Sequence, residues 1–123
     1  MCTRAELNNI SQMVAKTYRT HYGDKLMGVY LYGSYARGDF DDTSDIDYAA
    51  IVEGERAELD KKLKLVYDEL FEVGYEYDMI VSPVVIPYDE FENMKEILPY
   101  YRNIWNEGVT INAWWKNKRF SKS

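Results

Sequence analysis

A single cysteine, Cys2, and a single histidine, His21, stand in a chain of 123 residues. One thiol cannot build a disulfide framework within the chain and fits a reducing, cytoplasmic setting. One imidazole excludes a zinc site made of several histidines, and His21 reads as a surface residue near the end of a helix. Basic residues are also scarce: 15 Lys and Arg stand against 21 Asp and Glu, a net charge of −6. They form no stripe before the terminal Lys116-Asn117-Lys118-Arg119-Phe120-Ser121-Lys122. Gripping a phosphate backbone draws on clustered cations, so nucleic acid is not expected as a direct substrate. No segment is apolar and long enough to cross a membrane, and Met1-Cys2-Thr3-Arg4-Ala5-Glu6 lacks the apolar run of a signal peptide. Repeats, low-complexity tracts and long linkers are missing too.

What is present suits one compact domain over 1–123, with residues 112–123 as a tail: 46% of residues are hydrophobic and 29% charged. Thr3-x-x-Glu6 has the form of a capping box. Leu7, Ile10, Val14 and Tyr18 follow at helical spacing until Gly23. Leu26–Tyr32 and Ser44–Val52 read as strands. Between Gly54 and Gly74, a helix over Glu55–Val73 carries Leu59, Leu63, Val66 and Leu70 on one face. A third strand is expected over Tyr75–Val81, extending through Val84–Ile86, with Pro83 and Pro87 marking an edge, bulge or bend. Tyr88–Leu98 reads as a short helix stopped by Pro99. The order predicts an α/β (α+β) fold, a small mixed sheet flanked by helices. Trp105 is expected to pack on the sheet. Trp114 and Trp115 fit packing or a partner surface equally.

The chemistry concentrates where the first strand runs into Gly33-Ser34-Tyr35-Ala36-Arg37-Gly38. Glycine lets the backbone approach a ligand closely, the Ser34 hydroxyl can donate to a phosphate, and a helix start adds partial positive charge. After ten intervening residues come Asp45 and Asp47, which share one face if their segment is a strand. Like charges side by side call for a cation, and magnesium prefers carboxylate oxygen. Asp78 lies in an apolar stretch, Tyr75-Glu76-Tyr77-Asp78-Met79-Ile80-Val81, where burial without a partner is costly. A third strand beside the second would bring it to Asp45 and Asp47. Singly, each acid has a plainer reading: a turn cap for Asp45, solvation for Asp47, a lysine partner for Asp78. Together with the phosphate turn they suggest phosphoryl or nucleotidyl transfer assisted by two ions roughly 3.5–4 Å apart.

Gly33-Ser34, ten residues, then Asp45-x-Asp47 resembles the minimal nucleotidyltransferase branch of the DNA polymerase beta superfamily. The ending Leu98-Pro99-Tyr100-Tyr101-Arg102-Asn103-Ile104-Trp105-Asn106-Glu107-Gly108-Val109 is similar to the tails of small members. The resemblance implies that Asp45 and Asp47 hold two Mg2+ ions and that Asp78 is the third acid. It implies that Gly33, Ser34 and Arg37 hold the triphosphate of ATP, although Arg37 equally suits a salt bridge to Asp39 or Asp41. Larger members append a helical acceptor domain, which this length leaves no room for, so the acceptor is expected to be bound by a short surface or supplied by a partner protein. Small stand-alone members are often antitoxins of HEPN-domain ribonuclease toxins and move AMP onto a toxin tyrosine. The alternatives are an aminoglycoside-type enzyme acting on a small molecule and a non-catalytic antitoxin that covers its partner.

Overall fold

The computed structural model describes residues 2–111; Trp114, Trp115 and the basic run 116–122 lie outside the described residues. Helix α1 (Arg4–Tyr22) opens on the expected capping box: the Glu6 amide donates to Thr3 Oγ1 at 3.1 Å and the Thr3 amide to Glu6 Oε1 at 2.8 Å. It ends at Gly23, whose φ of 60° lets the chain turn back through a short 3-10 segment into β1 (Leu26–Tyr32). A four-residue helix, α2 (Ser34–Arg37), precedes β2 (Ile46–Val52). Then come α3 (Arg56–Glu76), β3 (Val81–Pro87), α4 (Tyr88–Met94), α5 (Pro99–Glu107) and a two-residue β4 (Val109–Thr110).

Among the described residues the strands form one mixed sheet in the order β3-β2-β1-β4. β1 runs antiparallel to β2 and β4, and β2 runs parallel to β3. The α3 crossover makes that parallel pairing possible, because reversing direction and returning to the same sheet end takes a helix-length connection. From Tyr48 to Val52 β2 is buried on both faces, which explains the apolar run that follows Asp47. One face of the sheet packs on α1 and α3 through Ile10, Val14, Tyr18, Tyr48, Val66 and Leu70. The other packs on α4 and α5 through Tyr30, Ala49, Ile51, Phe91, Tyr101 and Ile104. Each Ile, Val, Leu or Phe side chain among them, withdrawn from water, contributes about 1.5–3 kcal/mol. Some of the polar atoms that enter the core are paired across it: Ser11 Oγ and the Tyr48 hydroxyl lie 2.7 Å apart, and the Tyr18 hydroxyl donates to the Val84 carbonyl at 2.8 Å.

Two expectations need correction. α3 continues through Gly74 to Glu76, so residues 75–80 are not strand. Its buried stripe of Val66, Leu70 and Gly74 keeps helical spacing, and the missing side chain of Gly74 admits the following backbone: the Met79 amide donates to the Gly74 carbonyl at 2.8 Å. The helix over Tyr88–Leu98 instead ends at Met94. Pro99 then starts a helix rather than only stopping one, as its fixed φ and absent N–H allow at a first helical position. Pro83 and Pro87 do sit on an outer strand, as expected.

Candidate active site

β1 delivers the chain to Gly33, whose φ is 75°, a conformation other residues adopt only with strain. Its carbonyl accepts the Ala36 and Arg37 amides at 3.1 Å each, closing the turn into α2. A Cβ on Gly33 would stand 2.5 Å from Asp47 Oδ2, so the Gly33 turn is packed closely against that carboxylate. The loop between α2 and β2 is locked by Asp41, whose Oδ1 accepts the Thr43 amide at 2.8 Å and the Thr43 hydroxyl at 2.7 Å. These bonds hold the Asp41 carboxyl below its ordinary pKa. Ser44 donates its amide to the Asp41 carbonyl, and β2 begins two residues later.

Asp45 and Asp47 project from the start of β2 onto the face that carries α4 and α5. Asp45 is exposed and Asp47 half-buried. Burial raises the Asp47 carboxyl above its usual pKa, the neighbouring Asp45 charge adds to the rise, and the Arg37 guanidinium opposes it. Across the sheet, Asp47 faces Tyr32 of β1 on one side and Ser82 of β3 on the other. The Ser82 hydroxyl donates to Asp45 Oδ2 at 3.4 Å.

Asp78 does not join this group. It lies in the connection between α3 and β3, exposed, with a φ of 55°, beside Tyr75, Met79 and Ile80 at an apolar groove along α3. The Ile46 amide donates to the Ile80 carbonyl, so strand pairing starts only after Asp78 and puts Ser82, four positions on, beside the two acids. Among the described residues no set of three or more His, Cys, Asp or Glu side chains is placed to hold a metal ion.

Arg37 is exposed and held by carboxylates on both sides, Asp39 Oδ2 at 3.2 Å from Nε and Glu107 Oε1 at 3.7 Å from Nη1. Asp39 was one of the two partners weighed for it, whereas the other, Asp41, is engaged within its own loop. Glu107 lies at the end of a helix that sequence reasoning did not place. Ser82 was missed because Tyr75–Val81 read as strand; continuing the helical stripe past Gly74 would have moved the strand forward and brought it to light.

The oxygen-only set of Asp45, Asp47 and Ser82 fits a hard divalent cation. The mutual repulsion of the two carboxylates is the physical reason to expect one. A glycine turn packed against an acid pair at one end of a mixed sheet is the geometry that the Gly33-Ser34 and Asp45-x-Asp47 spacing leads one to expect. The chain belongs to the nucleotidyltransferase domain family, whose model matches residues 13–111. Two Methanocaldococcus jannaschii proteins, assigned by inference in their names as protein adenylyltransferases, are similar to it. One is 36% identical over 65% of this chain and 79% of its own length; the other is 31% identical over 65% and 54%. In fold it is similar to a Sulfolobus solfataricus protein, likewise assigned as a nucleotidyltransferase, with a TM-score of 0.53 at 21% identity over 92% of this chain and 82% of that one. A toxin–antitoxin structure with AMP-PNP gives a TM-score of 0.55 at 20% identity over 89% of this chain and 75% of that one. An MntA–HpeT toxin–antitoxin mutant gives 0.54 at 18% identity over 89% and 75%.

Proposed function

We propose that this nucleotidyltransferase is a magnesium-dependent antitoxin that transfers AMP from ATP to a tyrosine hydroxyl of a partner HEPN ribonuclease toxin. The contact between the Gly33 turn and Asp47 carries the reading, because it sets a phosphate grip against a carboxylate pair. Relatives named for protein adenylylation support the acceptor class, and fold neighbours from toxin–antitoxin complexes support the partner class.

Asp45 and Asp47 are the residues that would hold the magnesium ions. When bound, those ions would neutralise the triphosphate and the charge developing on the leaving oxygen. Gly33 admits the phosphates close to the backbone, and the Ser34 hydroxyl donates to them. Arg37 exchanges Asp39 and Glu107 for a phosphate, a stronger acceptor for a guanidinium. Asp78 would enter the metal set only if the 77–80 connection carried it past Ile80; Ser82, whose hydroxyl donates to Asp45 Oδ2 at 3.4 Å, would otherwise supply the third oxygen. The protein is expected to work in the cytoplasm, and among the described residues no helix is long and apolar enough to cross a membrane.

The test is intact mass spectrometry of the product of the adjoining reading frame, incubated with this protein, ATP and magnesium, with Asp45→Ala and Asp47→Ala as controls. A gain of one or more AMP units that disappears in the controls is expected. A tight complex with no gain would replace catalysis with neutralisation by masking. Neither complex nor gain would redirect the search to small hydroxylated acceptors.

A further inference from the structure

The face that carries the acid pair also carries tyrosines, and one of them is open to solvent. Tyr32, opposite Asp47 in the ladder, lies with Val84 in the cluster under α4 and α5. Its hydroxyl is 2.8 Å from the hydroxyl of Tyr100, the second residue of α5, and the two rings meet edge to face at 6.0 Å between centroids. Tyr100 is 48% exposed. Its neighbour Tyr101, with ring centroids 5.8 Å apart, is buried and its hydroxyl is engaged with Glu90 and Arg56. A chain of two contacts therefore links an exposed phenol to Asp47: ladder pairing to Tyr32, then one hydrogen bond to Tyr100.

We propose that Tyr100 is a built-in acceptor, and that the enzyme adenylylates its own Tyr100 in the absence of its partner. This rests on the adenylyl-transfer reading above and adds a second substrate to it, the chain itself. In the reaction the Tyr100 oxygen forms a bond to the α-phosphorus of ATP. The bond from that phosphorus to the oxygen bridging to the β-phosphate breaks, and pyrophosphate leaves. The phenolic proton passes to a carboxylate of the acid pair and then to water. Nothing is oxidised or reduced. Tyr32 acts as a positioning residue, fixing the acceptor oxygen through their shared hydrogen bond. Because acceptor and acid pair belong to one chain, the reaction is first order in protein.

The purified protein is incubated with ATP and magnesium, its intact mass is followed, and the modified residue is mapped by peptide fragmentation. Thermal unfolding with and without Mg·ATP is recorded in parallel as a measure of binding. One adenylyl group on Tyr100 is expected, at a rate independent of protein concentration, with none in Asp47→Ala or Tyr100→Phe. Tyr32→Phe, which keeps the acceptor and removes its hydrogen bond, slows modification about fivefold or more. Unmodified protein whose melting temperature rises with Mg·ATP overturns the self-acceptor and leaves the transferase reading standing. No modification and no rise overturns both. A group on Tyr67 or Tyr75, exposed on α3, or a rate rising with protein concentration, also overturns the proposal.

Discussion

At Gly33 two constraints coincide, and each has its own cost when broken. Ala in its place must take a φ of 75° and push its Cβ to within 2.5 Å of Asp47 Oδ2. Gly33→Ala is expected to lose about 1–3 kcal/mol of stability, read from urea unfolding, and its transfer activity with it. Asp47 should behave in the opposite way. Its pKa is raised by burial and by Asp45, so the fold favours the neutral carboxyl and, without metal, stability falls as pH rises through the carboxylate range. Asp47→Asn should therefore melt higher than the wild type at neutral pH in the presence of a chelator, with the difference closing in acid, while magnesium binding and activity are lost. A third comparison settles the third ligand. Asp78→Asn should keep transfer within about threefold of wild type, as for a side chain outside the site. Asp45→Ala should lose more than about 100-fold, beyond what changes behind a metal's direct ligands cost. Loss of activity in Asp78→Asn would bring that residue back into the metal set.

At the scale of elements, the strand–turn–strand unit bearing Gly33, Asp45 and Asp47 was legible in the sequence because its information is local: glycine at a turn, alternation on a strand, ten residues between. The start of β3, and with it the position of Asp78, was misread because a strand's start depends on where the preceding helix stops. Gly74 resembles a helix terminator by composition, yet it lies inside α3 and serves close packing against Met79. α5 was hidden by Pro99, which can end a helix or begin one. Replacing Gly74 tests this reading with an inverted sign. Ala in a helix interior ordinarily stabilises relative to Gly, but here its Cβ would stand 2.3 Å from the Met79 carbonyl oxygen. Gly74→Ala is expected to cost about 1–3 kcal/mol by thermal unfolding, as overpacking does.

For the whole molecule, the sheet separates a structural layer of α1 and α3 from a layer of α4 and α5 that closes over the acid-pair face. Phe91 is the pin of the second layer: it is fully buried and its ring meets those of Tyr30, Tyr101 and Trp105. Phe91→Ala is expected to cost about 3–5 kcal/mol and to loosen α5, so that Tyr100 protons exchange environments faster by NMR relaxation while the α1 layer keeps its amide protection. The two-layer plan was readable from the helix stripes. Its second layer was only half seen, since α5 and β4 take their places through contacts distant in sequence, such as Gly108 against Tyr30.

The prolines of β3 bear on how this chain keeps company with others. Ile80 turns its carbonyl to β2, so by alternation Val81, Pro83, Val85 and Pro87 turn their main-chain groups away from the sheet. Two of those four residues have no N–H to offer. A foreign strand arriving at this rim meets every second donor blank, which denies it the continuous ladder that seeds fibrils and runaway stacking. The rim discourages pairing with its own kind, and leaves assembly on that side mainly to side chains.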